Sequence, residues 1–93
     1  MEIVYLESAR DDLLWFRRYY EQVFPVGSNK AQSQFRAVER LLKEHPLVGH
    51  ETHRDDVREF SIPNIPFSVI YRPPPHSIEV LRVWDERGDG EKF

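Results

Sequence analysis

Hydrophobic positions change their spacing along this chain in a way that separates helices from strands. Ile3 to Leu6 is a short apolar run rich in β-formers and predicts a first strand. Behind it, Ala9, Leu13, Phe16, Tyr20 and Val23 recur at helical intervals, until Pro25 and Gly27 interrupt the pattern. Ser8 followed by Asp11 forms an S-x-x-D sequence, which predicts a cap at the start of this helix, and Asp12 adds charge near the positive end of its dipole. Ser28 predicts a second cap. Ala31, Phe35, Val38 and Leu42 then repeat at spacings of four, three and four, an apolar stripe that Pro46 ends. The link between the helices is short, so they should pack as an antiparallel hairpin.

After a polar stretch at 46–56 the period shortens to two. Three strands are predicted, at 57–62, 67–72 and 77–85, with proline-containing joints short enough for antiparallel pairing. In the middle one, Phe67, Val69 and Tyr71 point to one side and are expected to form the core face; Ser68, Ile70 and Arg72 point to the other. In the last one, strict alternation groups Ile78, Val80, Arg82 and Trp84 against Glu79, Leu81, Val83 and Asp85. The predicted order is β-α-α-β-β-β, an α+β fold in which one helical hairpin covers one face of a mostly antiparallel sheet. Its other face would show Ile70, with Trp84 beside Arg82, as a partner surface. Arg72 and Arg82 would lie on that face with their stems along apolar neighbours. The alternative is that both only pair with Glu59, Glu79 or Asp85 across the sheet.

At 93 residues the chain is long enough for one domain. Apolar residues make up 40 %, enough for a packed core. Cysteine is absent, which removes disulfide frameworks and thiolate metal sites and fits a reducing cytosol. The acidic start and the lack of an apolar run near about 18 residues point to a soluble, cytoplasmic protein. The net charge is −3, so any phosphate-binding site would have to be local. His50, Glu51, His53, Asp55 and Asp56 crowd one loop, but His-x-x-His outside a helix lacks the register of a zinc site. A solvated loop is the simpler reading, and no metal or other cofactor is expected. Arg17, Arg18, Arg36, Arg40 and Lys43 are interleaved with Glu21, Glu39 and Glu44, which predicts salt-bridged solvent faces rather than a nucleic-acid patch. Gly88 and Gly90 predict a mobile C-terminal end.

Four segments in this order resemble the RelE/ParE superfamily of bacterial toxins from type II toxin–antitoxin pairs. They are the opening strand with "ESARDDLLWFRRYYEQ", then "LLKEHPLVGHE", then "VREF" with "PFSVIYR", and last "IEVLRVWDERGD". The resemblance spans nearly the whole chain and implies the β-α-α-β-β-β fold derived above. It also implies a growth-inhibiting protein masked by a cognate antitoxin, which would meet DNA only through that antitoxin. RelE-type members cut mRNA in the ribosome; ParE-type members inhibit DNA gyrase.

A metal-independent RNase needs cations on the phosphate and an acid or base near neutral pKa. The resemblance places such residues along the second and third strands and after the last. Arg58 matches one of them, Arg82 is a further candidate, and Arg87 keeps a charge near the end. Phe60 and Ser68 stand where basic residues are expected, and Asp85 and Glu86 follow Trp84 where many relatives have His or a basic pair. At about 4 Å and an effective dielectric near 20, one acid facing a phosphate costs on the order of 4 kcal/mol. The resemblance therefore points to the ParE-like branch, with Arg58, Ile70, Arg72, Arg82 and Trp84 expected to contact the antitoxin or target. An mRNA endonuclease and a non-toxic binding module of the same fold are the alternatives.

Overall fold

The computed structural model describes residues 2–73 and 75–87. Strand β1 (Glu2–Tyr5) leads into helix α1 (Glu7–Arg18), and helix α2 (Ser28–Glu44) follows. Four strands follow among the described residues: β2 (His50–Glu51), β3 (Arg58–Ser61), β4 (Phe67–Arg72) and β5 (Ser77–Asp85). They form one sheet in the order β1-β5-β4-β3-β2. Only the β1–β5 pair is parallel. It can be, because the helical hairpin supplies the long crossover that parallel neighbours require. The α+β fold is the one the sequence predicts. The glycines expected to loosen the C-terminal end lie outside the described residues.

The core sits between the hairpin and one sheet face. Ala9, Phe16 and Tyr20 pack with Ala31, Val38 and Leu42 from the second helix. From the sheet they meet Phe67, Val69, Tyr71, Ile78, Val80 and Val83. Phe16 is the hub of the aromatic part, with its ring edge-on to Phe67 at 4.9 Å and also against Tyr20 and Phe35.

Both helix starts differ from expectation. Helix α1 is capped two residues earlier than expected, with Leu6 in extended geometry at the cap position and Arg10 N–H donating to its carbonyl. Leu6 N–H donates in turn to Val80 O, so the sheet fixes where the helix starts, and Ser8 falls inside the first turn. Gly27, not Ser28, occupies the cap position of α2. After Arg18 the chain widens into a π-helical turn, Tyr19–Val23, closed by Phe24 N–H donating to Tyr19 O. That wider turn rotates Val23 off the buried stripe, and it is 61 % exposed.

The largest correction concerns β5. Ile70 pairs with Arg82 but Tyr71 pairs with Val80, so Leu81 is an extra residue and forms a bulge. The alternation flips there. Ile78, Val80 and Val83 all face the core, whereas Arg82 and Trp84 share the opposite face with Ser68 and Ile70. A second correction is that Ile70 is fully buried. It occupies the central strand between Glu59 and Arg82, whose longer side chains flank it, so it offers no exposed surface. The stretch read as a loop also contributes β2, an edge strand on β3.

Candidate interaction site

Arg58, Arg72, Arg82 and Arg87, the arginines expected at the site, each already have an intramolecular partner. Arg58 lies opposite Tyr71 on the helix side of the sheet. Its guanidinium donates to the carbonyls of Leu47 and Gly49, the latter at 2.7 Å, with Glu51 3.6 Å away. Tyr71 holds the same segment: its hydroxyl donates to Pro46 O at 2.7 Å and accepts from Gly49 N–H at 3.0 Å. Burial pushes the Tyr71 phenol up in pKa, opposed by the Gly49 hydrogen bond and by Arg58. Gly49 has no room for a side chain. A Cβ there would stand 2.8 Å from the Tyr71 hydroxyl and 2.9 Å from Glu59 O. The P-L-V-G-H segment is therefore a clasp that closes the end of α2 onto the sheet.

Arg82 answers to α1. Strand β1 stops pairing at Val80, which leaves the outer edge of β5 bare beyond it. Asp12 fills that gap. Its carboxylate accepts Val83 N–H at 3.0 Å and takes the Arg82 fork through Nε at 2.7 Å and Nη2 at 3.0 Å. Donation to the Asp12 carboxylate holds the Arg82 pKa above its ordinary value. The guanidinium also lies 5.2 Å from the Trp84 ring centre. Arg72 pairs with Glu79, Nε to Oε1 at 2.9 Å, at an angle that does not make a hydrogen bond. Of the two arginines, then, Arg72 meets one of the cross-strand carboxylates expected from the sequence, and Arg82 meets one from a helix.

Arg87 sits on the helix side. Asp85 chelates it with both oxygens at 2.9 Å, Tyr19 accepts from it, and its guanidinium carbon lies 4.2 Å over the Tyr19 ring. This chelation holds the Asp85 carboxyl below its ordinary value, and the Trp15 indole N–H adds a further hydrogen bond. On the far face, Ser68 donates to the buried Glu59 at 2.8 Å, and His50 approaches the other Glu59 oxygen at 3.5 Å. Arg58 and Arg82 lie on opposite faces of the sheet, and Arg87 lies beyond its last strand. The structure does not bring them together. Trp84 and the half-exposed Arg72 are the expected contact residues that stay accessible on the open face.

The helical charges behave differently from expectation. Among the described residues, Arg17, Arg18, Arg36, Arg40 and Lys43 form no ion pair with Glu21, Glu39 or Glu44. Such exposed pairs gain too little to hold two long side chains in place. Glu39 instead accepts a hydrogen bond from the Tyr5 hydroxyl. No cluster of three or more His, Asp or Glu suited to a metal occurs among the described residues, and no helix there is long and apolar enough to cross a membrane.

Residues 3–90 match the family model described as the ParE toxin of the type II toxin–antitoxin system parDE. This chain belongs to the ParE toxin family. A solved structure from the chromosomal ParDE toxin–antitoxin system of P. aeruginosa shares the fold, with a TM-score of 0.71 and 22 % identity over 89 % of this chain and 92 % of that one. No curated protein sequence matches at a significant level. ParE membership agrees with the resemblance read from the sequence, and on the ParE side of that superfamily.

Proposed function

We propose that the protein is a growth-inhibiting ParE-type toxin that acts on DNA gyrase in the bacterial cytoplasm and is neutralised by a cognate antitoxin. Support comes first from the family match over residues 3–90. The observation that carries the choice of mechanism is the fate of the three candidate catalytic arginines. Arg58 is spent on backbone carbonyls, Arg82 on Asp12 and Arg87 on Asp85. A phosphoryl-transfer site needs cations converging on one phosphate. Here the candidates are dispersed and each is neutralised or capped. The position where the resemblance places a further arginine is Ser68, bonded to a buried carboxylate that would repel RNA. Arg72 and Trp84 are the open-face residues a partner can reach.

Induced expression of the chain alone tests this. The expected result is growth arrest with a DNA-damage response and filamentation, together with inhibition of supercoiling by purified gyrase. Immediate translation arrest with ribosome-dependent mRNA cleavage, abolished by Arg58→Ala or Arg87→Ala, would move the protein to the nuclease branch.

A further inference from the structure

The tip of the helical hairpin carries apolar side chains that the core does not use. Val23 is 61 % exposed, Phe24 49 % and Val26 90 %, the last more than any other large apolar side chain among the described residues. Three such residues within four positions mark a contact surface rather than scattered exposure.

This tip is held in one shape. Its base is pinned by Tyr19, whose carbonyl closes the π-helical turn by accepting Phe24 N–H at 2.9 Å. The Tyr19 ring lies beneath the Arg87 guanidinium and edge-on to the buried Tyr20, with ring centres 4.9 Å apart. Pro25 then opens a single 3₁₀ turn, which Gly27 N–H closes onto Phe24 O at 3.1 Å. The Phe24 ring covers Gly27 so closely that a Cβ there would stand 2.8 Å from it. Val23 and Val26 are therefore presented by two hydrogen-bonded turns, and little ordering remains to be done on binding.

The charge pattern says what kind of occupant the tip fits. Residues 22–29, QVFPVGSN, hold no charge in a chain of which 31 % is charged. Glu21 and Lys30 bound the run with opposite signs, and Arg17 and Arg18 lie more than a helical turn back from Val23. Nucleic acid and anionic membrane surfaces are held by cations clustered at the contact. Here the contact residues offer phosphates nothing. The complement of an uncharged apolar tip is a dry apolar cleft in a protein, where a charge at the contact would cost desolvation.

We propose that the hairpin tip is the target-docking element: Val23 and Val26 enter an uncharged apolar cleft of the protein that this chain inhibits, and Phe24 holds the turn that presents them. The inference deepens the toxin reading above and rests on it. It adds a second surface to Arg72 and Trp84, which lie on the sheet face away from the helices.

The test titrates the full chain into supercoiling assays with purified DNA gyrase. Val23→Ser with Val26→Ser should raise the concentration needed for half-inhibition about tenfold or more. Leu14→Ser with Leu47→Ser removes two apolar side chains of similar exposure elsewhere and should leave it unchanged. Gly27→Ala keeps every apolar side chain of the tip but displaces the Phe24 ring, so it should also weaken inhibition. The backbone at residue 27, with φ −88°, accepts alanine without strain. Circular dichroism and urea midpoints confirm that each variant folds. Unchanged potency in either tip variant, or equal loss in the Leu14 and Leu47 control, overturns the proposal and leaves gyrase inhibition by the unaltered chain standing. An unaltered chain that arrests growth without inhibiting gyrase removes the gyrase reading instead. The tip is then judged on growth arrest, which the Val23 and Val26 variant must lose and the Leu14 and Leu47 variant must keep. An unaltered chain that does neither overturns both.

Discussion

Arg82 and Asp12 are 70 positions apart in the chain, yet they form a two-pronged ion pair, with oxygens 2.7 and 3.0 Å from Nε and Nη2. One oxygen of the same carboxylate also accepts Val83 N–H. Asp12 is thus both counter-ion and surrogate strand: it completes the edge of β5 where β1 has ended. The pair is partly buried, with the Asp12 side chain 16 % exposed.

Asp12→Ala is therefore expected to destabilise the fold more than Arg82→Ala. Loss of Asp12 strands both a guanidinium and a backbone N–H, a cost of about 1–3 kcal/mol. Loss of Arg82 leaves the carboxylate still bonded to Val83, and about 1 kcal/mol is expected. Urea denaturation of the two variants checks the ranking. Equal midpoints would remove the edge-completing role of Asp12.

The clasp around Gly49 gives a second prediction. Gly49→Ala forces Cβ to within 2.8 Å of the Tyr71 hydroxyl, in a fully buried site where neither that ring nor the Glu59 carbonyl can yield. About 1–3 kcal/mol should be lost through overpacking. Tyr71→Phe removes the bridge between Pro46 O and Gly49 N–H and should cost a similar amount, about 1–3 kcal/mol. The two effects share one site, so the double variant should lose less than the sum, as a thermodynamic cycle will report.

Acid stability should depend on Asp85. Its carboxyl is held below the ordinary value of 3.8, chiefly by Arg87. A depressed pKa gives stability that is full above the unfolded value and is lost as pH falls through the folded one. Asp85→Asn should thus flatten the fall in melting temperature below about pH 4. The loss at neutral pH should be about 1 kcal/mol or less, because the Arg87 partner is 42 % exposed. An unchanged acid limb would show that the Arg87 chelate adds nothing to folding.

Tyr5 and Tyr71 govern the alkaline side. Burial raises both phenols above the ordinary value of 10.0, Tyr5 further than Tyr71, with Glu39 adding to the shift of Tyr5. A raised pKa gives stability that is full below the unfolded value and is lost as pH climbs toward the folded one. Unfolding above about pH 10 should therefore be delayed in Tyr5→Phe, which removes the phenol without removing the ring. Absorbance of tyrosinate followed against pH, beside far-UV dichroism, checks this.

Metal dependence is not expected. Dialysis against EDTA should leave the melting temperature unchanged. Stoichiometric zinc retained after dialysis, and lost in His50→Ala with His53→Ala, would overturn this.

The sequence by itself determined the order of elements apart from the edge strand β2, the helical stripe of α2, the core face Phe67–Val69–Tyr71 and the placement of Arg82 beside Trp84. These follow from local periodicity, which a single stretch of chain carries. It also determined the family, because its four segments keep their order and spacing. Only the tertiary structure decided which way β5 faces before Leu81. A bulge is one residue long and leaves no compositional trace, so strict alternation, with Arg82 and Trp84 on the open face, put Ile78 and Val80 on the wrong side. Only the tertiary structure paired Arg82 with Asp12 and Tyr5 with Glu39. Both partners lie on helices far along the chain, at positions that look like ordinary solvent-facing acids. The same long-range choice left Arg36 without its local counter-ion: once Glu39 turns to Tyr5, the i to i+3 neighbour that the sequence offered Arg36 is taken. Local pattern assigns side chains to faces; what stands opposite each face depends on how the hairpin lands on the sheet.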